Sequence, residues 1–293
     1  MMNRREFIAL AASGAAAVGL GAAGGGKGRI LFGACRGFDD AGLMKELGYD
    51  FVEGGVGRAL QPDKTDEKWR PMRDRILALP IPLRSCAGFL PGSFRLTGPK
   101  AEHSRPLEYA ATACRRADEV GMKVIVLGSG GARNAPKGFP KEKAVDQFVE
   151  FCRLLGRRIE GCKVKVVLEP LRPKEANFLN FVREGREICE RVGSPSIRLL
   201  ADIYHMMEGG EEASSIEQTT SDLLLHCHIA EKGRRTAPGM TSDGSQFAPY
   251  FAALKKIGYS GGVSCECGWG DRKDLRRNLE RALSVMKKVA GQA

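Results

Sequence analysis

Four side chains spaced along the second half of the chain have the chemistry to share one metal ion. Glu169 follows the run Val164–Leu168, Asp202 follows Ile197–Ala201, His228 stands in His226-Cys227-His228 just beyond Leu223–Leu225, and Glu266 follows Gly262–Cys265. Each run is short and β-branched or apolar, as a buried strand is. Three carboxylates and one imidazole form a hard, oxygen-rich donor set. Such a set suits a single divalent ion, Mn²⁺ foremost, with Mg²⁺, Co²⁺ or Zn²⁺ as alternatives.

A metal beside two carboxylates points to proton chemistry next to a carbonyl. Removing a proton from that carbon builds an enediolate, and a Lewis acid stabilises the charge that develops. Glu169 and Glu266, on separate strands, are placed to flank one substrate carbon. One takes the proton; the other returns it to the opposite face, an epimerisation, or to the neighbouring carbon, an isomerisation. A nearby metal keeps a carboxylate ionised and burial favours its protonated form, so base and acid can coexist. A single strand-end Glu is ordinarily a solvated rim residue, but four such ends in order are not explained that way. His226 shares strand parity with His228 and is expected on the same side, for a polar packing role or one near the substrate. Trp269 is placed to wall the pocket or to cap the core, and His103, in a polar helix start, reads as structural.

Positioning these ends requires alternating strands and helices. Strands are expected at Ile30–Gly33, Phe51–Glu53, Leu83–Ala87, Lys123–Leu127, Val164–Glu169, Ile197–Asp202, Leu223–Ile229 and Gly262–Glu266. Helices are expected at Asp39–Leu47, Asp66–Leu79, Arg105–Val120, Lys141–Ile159, Phe178–Val192, Glu212–Thr219, Phe247–Ile257 and Lys273–Val289. Gly48, Gly121, Gly161, Gly193 and Gly258 each separate a helix from the next strand, where a left-handed cap is wanted. Eight such units predict a single-domain (β/α)₈ barrel of the TIM type over residues 29–293, whose C-terminal rim carries the site. A doubly wound open sheet is the alternative, but no G-x-G-x-x-G follows the first strand. Long loops, Gly88–His103, Gly128–Pro140 and Glu231–Gln246, fall on the rim side and are expected to carry function. Gly128–Arg133 is glycine-rich, either to hold an oxyanion or to let the backbone turn near the mouth.

At 293 residues, with 43% hydrophobic and 28% charged residues, the chain has the composition of a packed globular protein. A net charge of +11 raises polyanion binding, yet basic and acidic residues are interleaved, as in Lys141-Glu142-Lys143. This is a solvated surface or attraction for an anionic substrate, and no nucleic-acid partner is expected. Asn3-Arg4-Arg5-Glu6-Phe7 precedes a weakly apolar, glycine-interrupted stretch from Ile8 to Ala23, the pattern of a twin-arginine export signal. Residues 1–23 are therefore expected to be removed on export to the periplasm or beyond, leaving a mature protein with no membrane span. The nine cysteines have no disulfide-framework spacing, and Cys265 and Cys267, flanking Glu266, are expected to point away from the barrel lumen. Folding in the cytoplasm before export accommodates them. Self-association as a homo-oligomer is compatible with the pattern.

Taken together, the motifs resemble the xylose isomerase-like TIM barrels, the sugar phosphate isomerase/epimerase family that includes D-tagatose 3-epimerase-type enzymes and hydroxypyruvate isomerase. The resemblance is carried by Val167-Leu168-Glu169-Pro170-Leu171 with Glu175, by Asp202-x-x-His205, by His226-Cys227-His228-Ile229-Ala230-Glu231 with Arg234 and Pro238-Gly239, and by Gly258-Tyr259-x-Gly261 leading to Glu266. It implies Glu169, Asp202, His228 and Glu266 as metal ligands, and Glu169 and Glu266 as the proton carriers. It also implies substrate contacts from His205, Arg234 and Glu175, and a small carbohydrate substrate. In the first half only Glu53 and the Phe89-Leu90-Pro91-Gly92 loop are candidates. Three rival functions remain: a dehydratase or lyase acting on keto-inositols or oxidised glycosides, a nuclease like endonuclease IV, and a non-catalytic carbohydrate binder. The nuclease would need more histidines than the four present, and Asp243 is followed by Gly244-Ser245 rather than by a further metal pair.

Overall fold

The computed structural model describes residues 28–292, so the expected signal at residues 1–23 lies outside the described residues. Eight parallel strands close on themselves in chain order: β1 (Leu31–Cys35), β2 (Phe51–Gly55), β3 (Leu83–Ala87), β4 (Val124–Leu127), β5 (Lys165–Leu168), β6 (Ile197–Asp202), β7 (Leu224–Ile229) and β8 (Gly262–Cys265). β1 pairs with β8, which makes the sheet a barrel without free edges. The predicted (β/α)₈ architecture is the one observed.

Helices cover the outside: α1 (Ala41–Leu47), α2 (Val56–Ala59), α3 (Asp66–Leu77), α4 (Ser104–Glu119), α5 (Gly130–Arg133), α6 (Lys141–Arg158), α7 (Val182–Val192), α8 (Ile203–Gly209), α9 (Ser214–Glu217), α10 (Ala248–Lys256) and α11 (Leu275–Ala290). The sequence of α7 shows why they dock. Val182, Gly185, Ile188, Cys189 and Val192 recur at helical spacing and are buried. Gly185 permits close approach, since a Cβ there would overlap the Leu199 side chain of β6. Gly193 ends the helix in the left-handed region, φ 66°. Gly48, Gly121 and Gly258 have positive φ as expected, whereas Gly161 does not. The turn around Gly161 is held instead by Asp118, whose carboxylate accepts from the Lys163 and Val164 amides.

Two departures from the expected elements bear on the site. α7 begins at Val182 rather than Phe178 because Leu179 takes φ 55° and Asn180 donates its amide to the Leu171 and Ala176 carbonyls. The unforeseen helix α8 starts directly at the end of β6, where Asp202 caps it by accepting from the Tyr204 and His205 amides. Inside the barrel, Val124, Val126, Val167 and Leu200 form a small cluster separate from the main strand–helix core. Glu169 and Asp202 share strand parity with Val167 and Leu200, so both carboxylates project inward above that apolar layer.

Candidate active site

The four suspected ligands converge. One donor atom from each of Glu169, Asp202, His228 and Glu266 lies within 4.8 Å of the others. Strand register explains it: Asp202 is paired with His228 across β6 and β7, and the Glu266 amide donates to the Ile229 carbonyl next to His228. Glu169 follows β5, its amide bonded to the Leu127 carbonyl at the end of β4. A Cβ at Gly128, one residue beyond β4, would overlap the Glu169 carboxylate, so that glycine makes the room Glu169 occupies.

Within the cluster, His228 Nδ1 lies 2.9 Å from Glu169 Oε1 and 3.3 Å from Glu266 Oε2. Its other nitrogen, Nε2, is 2.8 Å from Glu53 Oε1. Asp202 uses Oδ1 to cap α8, while its buried Oδ2 has no hydrogen-bond partner. A fully buried carboxylate oxygen left without a hydrogen bond, aimed into a group of two further carboxylates and an imidazole, is what a divalent cation would satisfy. The donor set and its geometry fit the ion. Glu169, Asp202, His228 through Nδ1, and Glu266 would hold it.

The charges in this cluster push each other unequally. Burial raises the Asp202 carboxyl to about 6, against the pull of His228, and burial also raises Glu169. Partial burial pushes Glu266, whose side chain is 31% exposed, upward, but His228 and Arg235 outweigh that and bring it down to about 2. Burial opposes charge on His228, yet Glu53, Glu266 and Glu169 together hold its imidazole well above the usual histidine range. So one carboxylate of the Glu169–Glu266 pair is biased toward holding a proton and the other toward being ionised.

His205 is buried, with neither ring nitrogen hydrogen-bonded, and its Nε2 is 3.4 Å from Asp202 Oδ2 and 4.0 Å from Glu175 Oε2. Glu175 accepts from Arg172 Nε at 2.8 Å and is half-exposed at the mouth. Arg234 is exposed on its loop, and the guanidinium at the site belongs to its neighbour Arg235. Arg235 Nη2 is 2.5 Å from Glu266 Oε2 and 3.5 Å from Asp202 Oδ2, and its guanidinium lies 4.8 Å over the Tyr204 ring. Arg172 covers the same ring at 5.0 Å. Arg235 is fixed in place by its backbone, at φ 51°, and by Gly268, whose amide donates to its carbonyl at 2.8 Å.

Beyond Arg235, sequence reasoning missed Arg133. This fully buried guanidinium donates to the carbonyls of Gly128, Glu169, Phe178 and Leu179, tying the β4 and β5 ends together. Burial brings it down to about 10, and the Glu169 charge is the largest influence against that. Its mark in the sequence is an arginine inside an otherwise glycine-rich turn. Trp269 packs in the main core, with 6% exposure, and His103 bonds the Leu96 carbonyl and meets the Phe151 ring edge-on. Cys265 faces the helix layer, 3.6 Å from Met286 Sδ, away from the lumen as expected. The second metal-capable group among the described residues is Cys35, Glu53 and His228, which shares its histidine with the first and builds no three-metal nuclease centre.

Fold and rim cluster define a parallel barrel with a carboxylate-rich centre at the C-terminal ends of its strands. The chain belongs to the xylose isomerase-like TIM barrel family, whose model matches residues 42–289. It is 30% identical over 139 residues to a probable ketose 3-epimerase from Synechocystis sp., covering 47% of each chain. It is 25% identical over 158 residues to the hydroxypyruvate isomerase of Escherichia coli, covering 53% of this chain and 59% of that one. The match thus spans only about half the length of these relatives. Among solved structures, a D-psicose 3-epimerase with D-tagatose from Clostridium cellulolyticum H10 superposes with a TM-score of 0.77 at 19% identity, covering 89% of this chain and 99% of that one. The IOLI protein with a binding zinc atom superposes with a TM-score of 0.66 at 17% identity, covering 90% and 98%. At such identities the structural likeness speaks for the fold.

Proposed function

We propose that the chain is a divalent-metal-dependent isomerase or epimerase of a keto-sugar or related small carbohydrate. The observation that carries this reading is the convergence of Glu169, Asp202, His228 and Glu266, among them an Asp202 Oδ2 that makes no hydrogen bond. The names of the matched relatives, a ketose 3-epimerase and a hydroxypyruvate isomerase, support the reaction class. When bound, the ion supplies Lewis-acid stabilisation for charge developing on the substrate carbonyl oxygen.

The chain's own residues do the rest. Glu266, held ionised by His228 and Arg235, takes the proton from the carbon beside the carbonyl; Glu169, which burial makes the readier of the two carboxylates to pick up a proton, returns one. The reverse reaction exchanges their roles. His205, with both ring nitrogens unpartnered, and Arg235, with a guanidinium clamped by Tyr204, offer donors to the substrate oxygens. Glu175, 4.0 Å from His205, is positioned to accept from a hydroxyl. On the β4 to β6 side, Val167 and Leu200 close the floor of the site with apolar side chains.

Incubation with a panel of ketoses in deuterated water tests this reading. Expected is a new epimer or isomer carrying solvent deuterium at the carbon next to the carbonyl, with activity lost in chelator and restored by Mn²⁺. Label moving intact between carbons would replace the proton transfer with a hydride shift. Loss of water to an unsaturated product would make the enzyme a lyase.

A further inference from the structure

Directly beneath the rim cluster lies a second polar group that the proposed reaction does not use. Glu53 on β2 is fully buried, as are its three partners. Its Oε1 accepts from His228 Nε2 at 2.8 Å, and its Oε2 accepts from His226 Nε2 at 2.8 Å and from Ser85 Oγ at 2.6 Å. Ser85 reaches it because β2 and β3 pair Glu53 with Ser85, and both histidines reach it because they alternate inward on β7. The His226 ring has its space from Gly262, where a Cβ would come 3.1 Å from His226 Nδ1.

A buried carboxylate that takes three donors would be expensive if it served only to fill the barrel. Its geometry does something more specific. An imidazole has two nitrogens, and which one carries the proton is set by the partner of the other. A carboxylate can only accept, so Glu53 keeps a proton on Nε2 of His228, and Nδ1, which faces Glu169 and Glu266, is left as the nitrogen that gives up its proton when a metal takes its place. His226 and Ser85 hold Glu53 from the other side, which stops the carboxylate from turning away.

We propose that Glu53, braced by His226 and Ser85, is the positioning residue that makes His228 a metal ligand through Nδ1. It touches neither substrate nor ion; it fixes the tautomer and the ring angle of a residue that does. The inference rests on the metal-centre reading above.

Titration of the chelator-stripped full chain with Mn²⁺ alone, followed by calorimetry, tests it. Glu53→Gln removes the charge and can donate as well as accept, so the affinity should fall by about 10- to 100-fold relative to the unsubstituted protein. An unchanged affinity, with only the unfolding temperature of the metal-free protein lowered, would make Glu53 a polar filler and overturn the proposal. If the unsubstituted chain itself binds no Mn²⁺, the metal-centre reading falls and this inference with it, a result distinct from equal binding by both proteins. Should Glu53→Gln fail to fold, nitrogen-15 spectra of the histidines in the Mg²⁺-loaded, unsubstituted protein decide. A proton on Nε2 of His228 is expected, and a proton on Nδ1 would refute the arrangement.

Discussion

Gly128 and Glu169 compete for one volume: a methyl group on the first would stand where the carboxylate of the second now lies. The glycine at the end of β4 is therefore a condition for the ligand at the end of β5. Gly128→Ala should leave the barrel folded but displace the Glu169 carboxylate. Weakened Mn²⁺ binding and a severe loss of turnover are expected, with a circular dichroism spectrum like that of the parent. Full activity in the variant would show that Glu169 has another place to go.

Glu169→Gln and Glu266→Gln each remove a proton carrier that is also a ligand. Turnover should drop by on the order of 10²–10⁴-fold from the lost acid–base step alone, with weaker metal binding adding to it. The measurement is steady-state rate at saturating Mn²⁺, alongside solvent deuterium incorporation. Exchange into substrate that survives in one variant but not the other would identify which carboxylate acts first.

Arg234 and Arg235 are neighbours with different surroundings, and a pair of substitutions separates them. Arg235→Ala loses a charge-assisted contact to Glu266 and its stacking on Tyr204, and kcat/KM should fall by roughly 10- to 100-fold. Arg234→Ala, on an exposed side chain, should change little. The opposite ranking would mean that the loop rearranges when substrate binds.

Metal affinity should depend on pH in a definite direction. Asp202 is pushed up to about 6, and Glu169 and His228 are raised as well, so each holds its proton at higher pH than usual. The ion must displace those protons, so binding weakens as pH falls through that window, by about tenfold per unit for each proton released. Glu266, down to about 2, stays ionised throughout and contributes no slope. Calorimetric titrations between about pH 5 and about pH 8 check it, and a flat profile would contradict the proton count.

We also propose that the first 23 residues direct twin-arginine export, on the strength of Arg4 and Arg5 ahead of the weakly apolar stretch. Replacing both arginines with lysine should leave folded, unprocessed protein in the cytoplasm. Cell fractionation that finds the variant outside the inner membrane would refute this.

The barrel was legible because its strands are buried on both faces and so appear as short apolar runs, each ending in a polar residue. The expected strand over Ile197–Asp202 coincides with β6, and Glu169 falls one residue past β5. What was not legible depends on contacts distant in sequence. Glu53 stood out only as a strand-end carboxylate, since its partner His228 is 175 residues away. Counting six residues from His228 points to Arg234, and counting along the chain cannot register the φ of 51° that turns Arg235 inward. Asp202-x-x-His205 has the residues of a metal and substrate site, and the same Asp202 is the cap of a helix that its short apolar run does not announce.

The cysteines give this barrel an asymmetric relationship with an oxidising compartment. Cys86, Cys114, Cys152, Cys189, Cys227 and Cys265 are buried, and no disulfide joins the described residues. Burial pushes the Cys189 and Cys227 thiols up to about 12, so almost none of either is thiolate at neutral pH and both are chemically quiet in the folded chain. One excursion to the unfolded state exposes them all at once, and any cross-link then formed bars the way back. Outside a reducing cytosol, such a molecule would age at the rate it opens, whatever its equilibrium stability.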